Sequence, residues 1–529
     1  MNNLRRMRDV GVLFFLFLFM ALFTIKLVDL SIAPFEDAAM LMRYAEHFAQ
    51  GHGIVWNIGE KPVDGATDFL FMILLGSFVK VGMSLEFAVR FIGFSSHVLT
   101  VCIVYLAARK LFQAPVWAAI VTSLYLAVGP GLYYVAAYFG TTCFALFACI
   151  TWYVALAIIL NGETRTGSLL FAIAALTTSL FRPEGVILSI LMLLAVIYIK
   201  GLRRSRYTIF CFLGVFLLLG GLYFLWRWQY FGFPLPNPYY RKGGDFNLYS
   251  LKNSIINTIR LCLPFLPAFI IGLYSAKTLR LTIGFLILII GFTSAFVLIS
   301  DEMNFDARFQ YVLLPLVLMS WWPLIRAIKE DWRFPKWNEL TLRKRATLVL
   351  FIIVLSIGII GYQGMKGRAT YYQDGRYDVA RMLSDYRDKG YIIATTEAGL
   401  LPLYSHWKAL DAWGLNDQWI AHNGRITEEY LALFKPHIIV FHGHFSPLVS
   451  CEGLTGSFFE MVMTLKRYAE KNGYVLAAAF GESPYDTHYY YVRSDFPESS
   501  EIISRIRSTN YTWNSSGRKS INYALLVAK

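Results

Sequence analysis

Apolar residues come in long blocks over the first 365 positions and in short, broken runs after that. A membrane-crossing helix needs roughly 20 apolar residues, with 17–25 the usual range. Blocks of that order cover 13–28, 86–108, 114–129, 141–160, 167–181, 185–199, 207–226, 261–275, 281–299, 309–325 and 346–363. They predict eleven spans, several of which need flanking residues to cross. A shorter block at 69–79 suits an interfacial or re-entrant helix. The first block follows Arg5, Arg6 and Arg8, and no small-residue cleavage site comes after it. It reads as a retained helix and not as a cleaved signal.

Basic residues fix the orientation. With the N-terminus inside, the cytoplasmic segments are 1–10, 109–113, 161–166, 200–206, 276–280 and 326–345. They hold Arg109, Lys110, Lys200, Arg203, Arg204, Arg206, Lys277, Arg280 and the run from Arg326 to Arg345. The positive-inside rule is met at nearly every turn, whereas counting 69–79 as a span would put these loops outside. The chain therefore reads as a polytopic α-helical membrane domain over 1–365, with a first outer loop at 30–85 carrying interfacial helices. Residues 366–529 alternate helix and strand patterns: helices at Tyr377–Tyr386 and Phe458–Lys471, strands at Tyr391–Thr395, His437–Phe441 and Tyr474–Ala479. That alternation predicts an extracytoplasmic α/β domain.

Composition agrees with this. Of 529 residues, 56% are hydrophobic and 16% charged, against about 25% charged in a soluble domain. The net charge of +14 is accounted for by membrane sorting of Lys and Arg, so nucleic acid is not expected as a partner. Five of six Cys fall in apolar runs and Cys451 stands alone, which leaves no disulfide framework. The sequence has no P-loop, dinucleotide-binding turn or G-x-S-x-G elbow.

Candidate chemistry collects in the outer loops. Pro34 followed by Glu36 and Asp37 marks a helix start. Glu36 and Arg43 are seven apart, as are Asp37 and Tyr44, so each pair lies along one helix face. A solvated amphipathic helix capped by its acids would show the same pattern. A Glu36–Arg43 ion pair would leave Asp37 freer to act as a base, beside Tyr44 as a sugar platform. Phe181-Arg182-Pro183-Glu184-Gly185 places opposite charges at a membrane surface, where a structural ion pair is the plain alternative. Residues 230–244 offer Asn237, Tyr239, Tyr240, Arg241 and Lys242 among three prolines; flat Tyr faces suit sugars and cations suit phosphate, though interface belts are also aromatic. Arg308 opens the tenth span, where it would meet a lipid phosphate or snorkel to headgroups. Five His lie at 406, 422, 437, 442 and 444, but no carboxylate or Cys completes a recognisable zinc spacing. Asn510 and Asn514 match the glycan-acceptor pattern, which is frequent by chance.

These residues resemble a known family. The run E-D-A-A-M-L-M-R-Y-A-E-H-F-A-Q-G-H-G-I-V-W-N-I-G-E-K-P-V-D-G-A-T-D-F-L-F, from Glu36 to Phe71, is similar to the first loop of the bacterial terminal arabinofuranosyltransferases. These are GT-C-fold membrane enzymes that use polyprenyl-phosphate sugars. R-P-E-G at 182–185, L-P-N-P-Y-Y-R-K at 235–242, A-R-F at 307–309 and A-G-L-L-P-L-Y-S…L-D-A-W-G-L-N-D at 398–417 resemble further family blocks, in order along the chain. Departures fall at Glu36, Asp64, Ala66 and Asp68.

The resemblance implies an inverting glycosyltransferase of a bacterial inner membrane, with its C-terminal domain periplasmic. It would move a sugar, arabinofuranose by the family, from a polyprenyl-phosphate donor to an acceptor glycan or glycoprotein. A first-loop acid, Asp37 or Glu36, would be the base. Arg308, Arg182, Lys242 and Arg43 would face the donor phosphate. Tyr44, Asp64, Asp68, Glu184, Asn237, Tyr239 and Tyr240 would face sugar or acceptor. Partners would be membrane lipid and the lipid-linked sugar. A monophosphate donor has no chelating diphosphate, so neither metal nor cofactor is expected. The competing readings are a lipid-linked-sugar flippase or transporter and a non-catalytic envelope assembly protein. Ion-coupled transporters bury ionisable residues at mid-membrane, and the spans between 114 and 363 are nearly free of them.

Overall fold

The computed structural model describes residues 2–242, 246–331, 341–367, 372–451 and 453–527. Gly243 and Gly244 of the proline-rich block and the centre of the basic run at 326–345 lie outside the described residues. So do 368–371, just past the expected domain boundary.

Each expected apolar block is largely helical, with turns at the ends of several. Among the described residues, five helices are long and apolar enough to cross a membrane: Arg6–Leu27, Leu85–Leu111, Val116–Ala136, Thr141–Asn161 and Leu202–Phe231. The block at 261–275 is not one straight rod. Leu248–Cys262 meets Leu266–Gly272 at a bend of 97°; Pro264 lies in the break, where it lacks an N–H donor and cannot continue the first helix, and Pro267 sits in the first turn of the second, where proline is tolerated. Further apolar helices are shorter, among them Arg165–Phe181, Glu184–Lys200, Leu279–Ala295, Leu313–Ile325 and Ile353–Met365. Leu217, Leu218, Leu222 and Leu225 project unburied from Leu202–Phe231, a surface suited to lipid. The chain is thus a multi-pass membrane protein.

The segment after the first apolar helix holds the helices Glu36–Ala49 and Phe69–Lys80, which pack on each other. Phe71, Met72 and Leu75 of the second are buried, so that face packs against neighbouring helices. Acids occupy the first turn of Glu36–Ala49 and His47 its last turn, as the helix dipole favours.

The C-terminal part is built on one six-stranded sheet. Its strands are β1 (Ile392–Thr395), β2 (Lys408–Asp411), β3 (Ile438–Gly443), β4 (Tyr474–Ser483), β5 (Asp486–Arg493) and β6 (Ile521–Asn522), in the order β2-β1-β3-β5-β4-β6. β1 runs parallel to β2 and β3, while β3–β5, β5–β4 and β4–β6 are antiparallel. The expected helices appear as Gly375–Leu383 and Ser457–Lys471, and the three expected strands as β1, β3 and β4. β2, β5 and β6 were not expected. β2 is a four-residue strand, β6 has two residues, and β5 (D-T-H-Y-Y-Y-V-R) shows no alternation of polar and apolar positions because six of its residues are buried.

The helix Leu400–Ser405 rests on the first-loop helix. A Cβ on Gly399 would come within 2.0 Å of the Glu36 carbonyl oxygen, so only glycine permits this approach.

Candidate active site

A cavity of about 440 Å³ opens where the ends of several helices meet the loop that carries Glu36–Ala49. Each sequence block noted above sends residues to it. Asp37 comes from the first turn of Glu36–Ala49, Asp68 from the start of Phe69–Lys80, and Arg182 and Glu184 from the corner between two hairpin helices. Tyr239 and Lys242 come from the proline-rich block, Arg308 and Phe309 from the start of the next span, and Leu415 from the C-terminal domain.

Asp37 and Arg308 form the central pair. Arg308 Nη2 donates to Asp37 Oδ2 at 2.5 Å. The guanidinium lies 4.2 Å from the Phe139 ring centroid and 5.0 Å from that of Phe309, and its Nε is buried without a hydrogen-bond partner. The segment that delivers it is strained: Met303, Asp306 and Ala307 all have positive φ, at 58°, 45° and 63°. Such conformations are uncommon outside glycine and gather at functional sites. Tyr134 Oη donates to the Asp306 carbonyl at 2.7 Å and Arg260 bonds its carboxylate at 3.0 Å, which holds the turn in place.

Arg182 lies 4.8 Å from the Phe309 centroid, bonds Glu184 at 2.8 Å and reaches Asp68 at 3.5 Å. Burial pushes the Asp68 carboxyl above its ordinary range, against the opposing pull of Arg182. Lys242 pairs with Glu302 at 3.2 Å, and Glu302 is 57% exposed. Among the described residues the cavity is lined by four acids (Asp37, Asp68, Glu184, Glu302) and four cations (Arg182, Arg227, Lys242, Arg308). An incoming anion would therefore exchange with a carboxylate instead of meeting an idle cation.

Several expected site residues lie behind the wall. The anticipated Glu36–Arg43 pair is not formed. Arg43 turns inward and donates to the carbonyls of Trp56, Pro402 and Trp407 and to Asn57 Oδ1, so its donors are engaged away from any phosphate. Glu36 accepts from the backbone N–H of Gly399 at 2.5 Å and of Leu400 at 3.2 Å. Its Oε2 stands 3.6 Å from Arg376, which also holds Asp374 and Glu397. Burial pushes the Glu36 carboxyl up, with Arg376 opposing. Tyr44 is fully buried and its hydroxyl reaches Val63 O and Asn416 Oδ1, so it offers no platform to a sugar. Asp64 pairs with Arg227 at 2.6 Å, and its carbonyl accepts from the N–H of buried Asn237. Tyr240 packs on His422 and not on the cavity.

Arg227, Glu302, Tyr138 and Phe139 line the cavity and were missed by sequence reasoning. Arg227 had a signal, a lone charge between Trp226 and Trp228 at the end of a long apolar block. Its partner Asp64 is too distant in sequence for spacing to pair them.

Comparison with known proteins places this geometry. Residues 363–494 match a family described only as a domain of unknown function (DUF8728). No curated protein sequence matches the chain. Among solved structures, the apo form of ArnT from Cupriavidus metallidurans is similar with a TM-score of 0.56 at 14% identity, over 90% of this chain and 97% of that one. The form of ArnT bound to undecaprenyl phosphate gives 0.50 at 13% identity, over 92% and 97%. The archaeal oligosaccharyltransferase AglB from Archaeoglobus fulgidus, solved with an inhibitory peptide and a dolichol-phosphate, gives 0.53 at 14% identity, over 93% and 75%. At such identity the likeness is one of fold, and the fold is GT-C.

Proposed function

We propose, from the GT-C fold as premise, that this chain transfers a sugar from a polyprenyl-phosphate carrier to an acceptor hydroxyl. The observation that carries the reading is the Asp37–Arg308 pair at the centre of a cavity where aromatic rings, carboxylates and cations converge. Asp37 is the base. It takes the proton of the acceptor O–H as that oxygen attacks the anomeric carbon. The bond from that carbon to the phosphate oxygen breaks, the lipid phosphate leaves, and the configuration inverts. Phosphate is already a good leaving group, so no general acid is required.

The cations meet the leaving phosphate. Arg308 is bound to Asp37; a phosphate taking the place of Asp37 on Arg308 would release the carboxylate for the acceptor. Donor binding would thereby arm the base. Arg182 and Lys242 would add charge-assisted bonds. The Lys242–Glu302 pair is the most exposed of the ion pairs at the cavity, so it is the cheapest of them to exchange. In this reading the eleven apolar blocks span the membrane with the N-terminus inside, the cavity and C-terminal domain face outward, and the membrane is a bacterial inner membrane. The first-loop resemblance favours arabinofuranose as the sugar. Of its four departures only Asp68 lines the cavity, so Asp68 is the residue that would tune the donor.

The test is incubation of the purified protein with polyprenyl-phosphate sugars and glycan acceptors, with products analysed by mass. Transfer that vanishes in Asp37→Asn supports the reading. Transfer from no lipid donor, or donor movement across vesicles without transfer, replaces it with a carrier.

A further inference from the structure

His442 lies on β3 and His444 follows directly after the end of that strand, and their rings come together with centroids 5.0 Å apart. The fold adds what their spacing lacked. β5 runs antiparallel beside them, with His442 level with His488 and Gly443 level with Thr487. Asp486, one residue before Thr487, therefore comes level with His444. Asp486 Oδ1 is hydrogen-bonded to His442 Nε2 and stands 3.9 Å from His444 Nδ1. The three ligand atoms lie within 4.8 Å of one another. The two histidines also line a second cavity of about 240 Å³, with Leu454, Phe458, Phe459 and Val462.

We propose that His442, His444 and Asp486 bind a divalent transition ion of the zinc class. Two imidazoles and one carboxylate are an established zinc donor set, with bonds of about 2.0–2.2 Å and a fourth position left for water or another oxygen. In a tetrahedron of that size the ligand atoms stand about 3.3–3.5 Å apart, so the ion replaces the His442–Asp486 hydrogen bond: the Asp486 carboxylate moves back from His442 Nε2 while the exposed His444 ring turns slightly inward. The ion would fasten β3 to β5 at the centre of the sheet.

A second set, Glu397, His442 and His488, also converges, but its groups are already engaged. Arg376 and Thr396 bond the Glu397 carboxylate, and His488 Nδ1 lies 2.7 Å from the Tyr511 hydroxyl. An ion there would face the Arg376 guanidinium. None of the three proposed ligands lines the cavity around Asp37, so the site stands or falls independently of the transfer reaction.

The experiment uses the full chain in detergent, purified through a histidine-free tag, stripped with chelator and desalted. Zinc chloride is added, excess is removed, and retained zinc is measured by elemental mass spectrometry. Cobalt(II) is added to a parallel sample for its visible spectrum. The wild type is expected to keep about one zinc per chain, to melt at a higher temperature with zinc, and to give tetrahedral cobalt bands. His444→Ala and Asp486→Asn should weaken retention at least about tenfold and lose the thermal shift. His444 is 59% exposed, so its removal leaves the fold intact. His52→Ala, an exposed histidine elsewhere, should retain zinc fully. No retained zinc in the wild type overturns the proposal, as does undiminished retention in both ligand variants. Loss in Glu397→Gln with retention in His444→Ala also overturns it, by moving the ion to the inner set.

Discussion

Glu36 and Asp37 are adjacent acids with opposite surroundings. Successive residues on a helix point about 100° apart, so one helix serves two regions. On one side Glu36 is buried against Gly399 and Arg376, and the C-terminal domain closes over it. On the other, Asp37 keeps 25% of its side chain exposed and looks into the cavity with a single cation on it. The buried acid is fixed against the C-terminal part, and in the proposed reaction the partly exposed one is the base. A carboxylate fixed by two backbone N–H groups and an arginine cannot approach a hydroxyl, whereas one held by a single exchangeable pair can.

The comparison breaks most sharply at Asp37. Asp37→Asn is nearly isosteric and should lower turnover about 10²–10⁴-fold with little change in melting temperature. Glu36→Gln keeps its acceptor oxygen and should do far less. Collapse in Glu36→Gln with normal turnover in Asp37→Asn would exchange the two roles. The next effect is on stability. Arg376→Ala strands Asp374, Glu36 and Glu397 together in the interior and should cost about 3–5 kcal/mol in a denaturation curve; an unchanged midpoint would mean that the network does not hold the loop.

Arg308→Ala should weaken donor binding by about 1.5–3 kcal/mol and leave acceptor affinity unaltered. Arg308→Lys should restore only part, because an ammonium lacks the planar fork. Equal donor affinity in wild type and Arg308→Ala would remove the phosphate contact. The smallest effect sharpens the anchoring side. Burial holds His47 down to about 4, with its Nδ1 3.0 Å from Val55 O. A depressed folded-state value gives stability that is present above pH 6.5 and is lost as pH falls toward 4. The gap in melting temperature between wild type and His47→Gln should therefore narrow from pH 7 to pH 4; a constant gap would show that His47 does not titrate with folding.

The apolar blocks, the short helix at 69–80, the α/β character of the C-terminal part and most of the blocks that line the cavity were legible in the sequence. Those features are local: hydrophobic run length, acids at a helix start and prolines between aromatics are written within a few residues of one another. Only the tertiary structure decided which members of each block face the cavity. The first-loop pattern marked Glu36, Asp37, Arg43 and Tyr44 alike, because helix periodicity says which residues share a face and not what covers that face. Pro402 and Trp407 draw Arg43 inward, Asn416 takes Tyr44, and Gly399 takes Glu36, all from more than 350 residues away. Arg227 with Asp64 and Asp486 beside His442 belong to the same class. Pairings between side chains far apart in sequence are set by how the helices and strands dock, and no spacing rule within one segment carries that information.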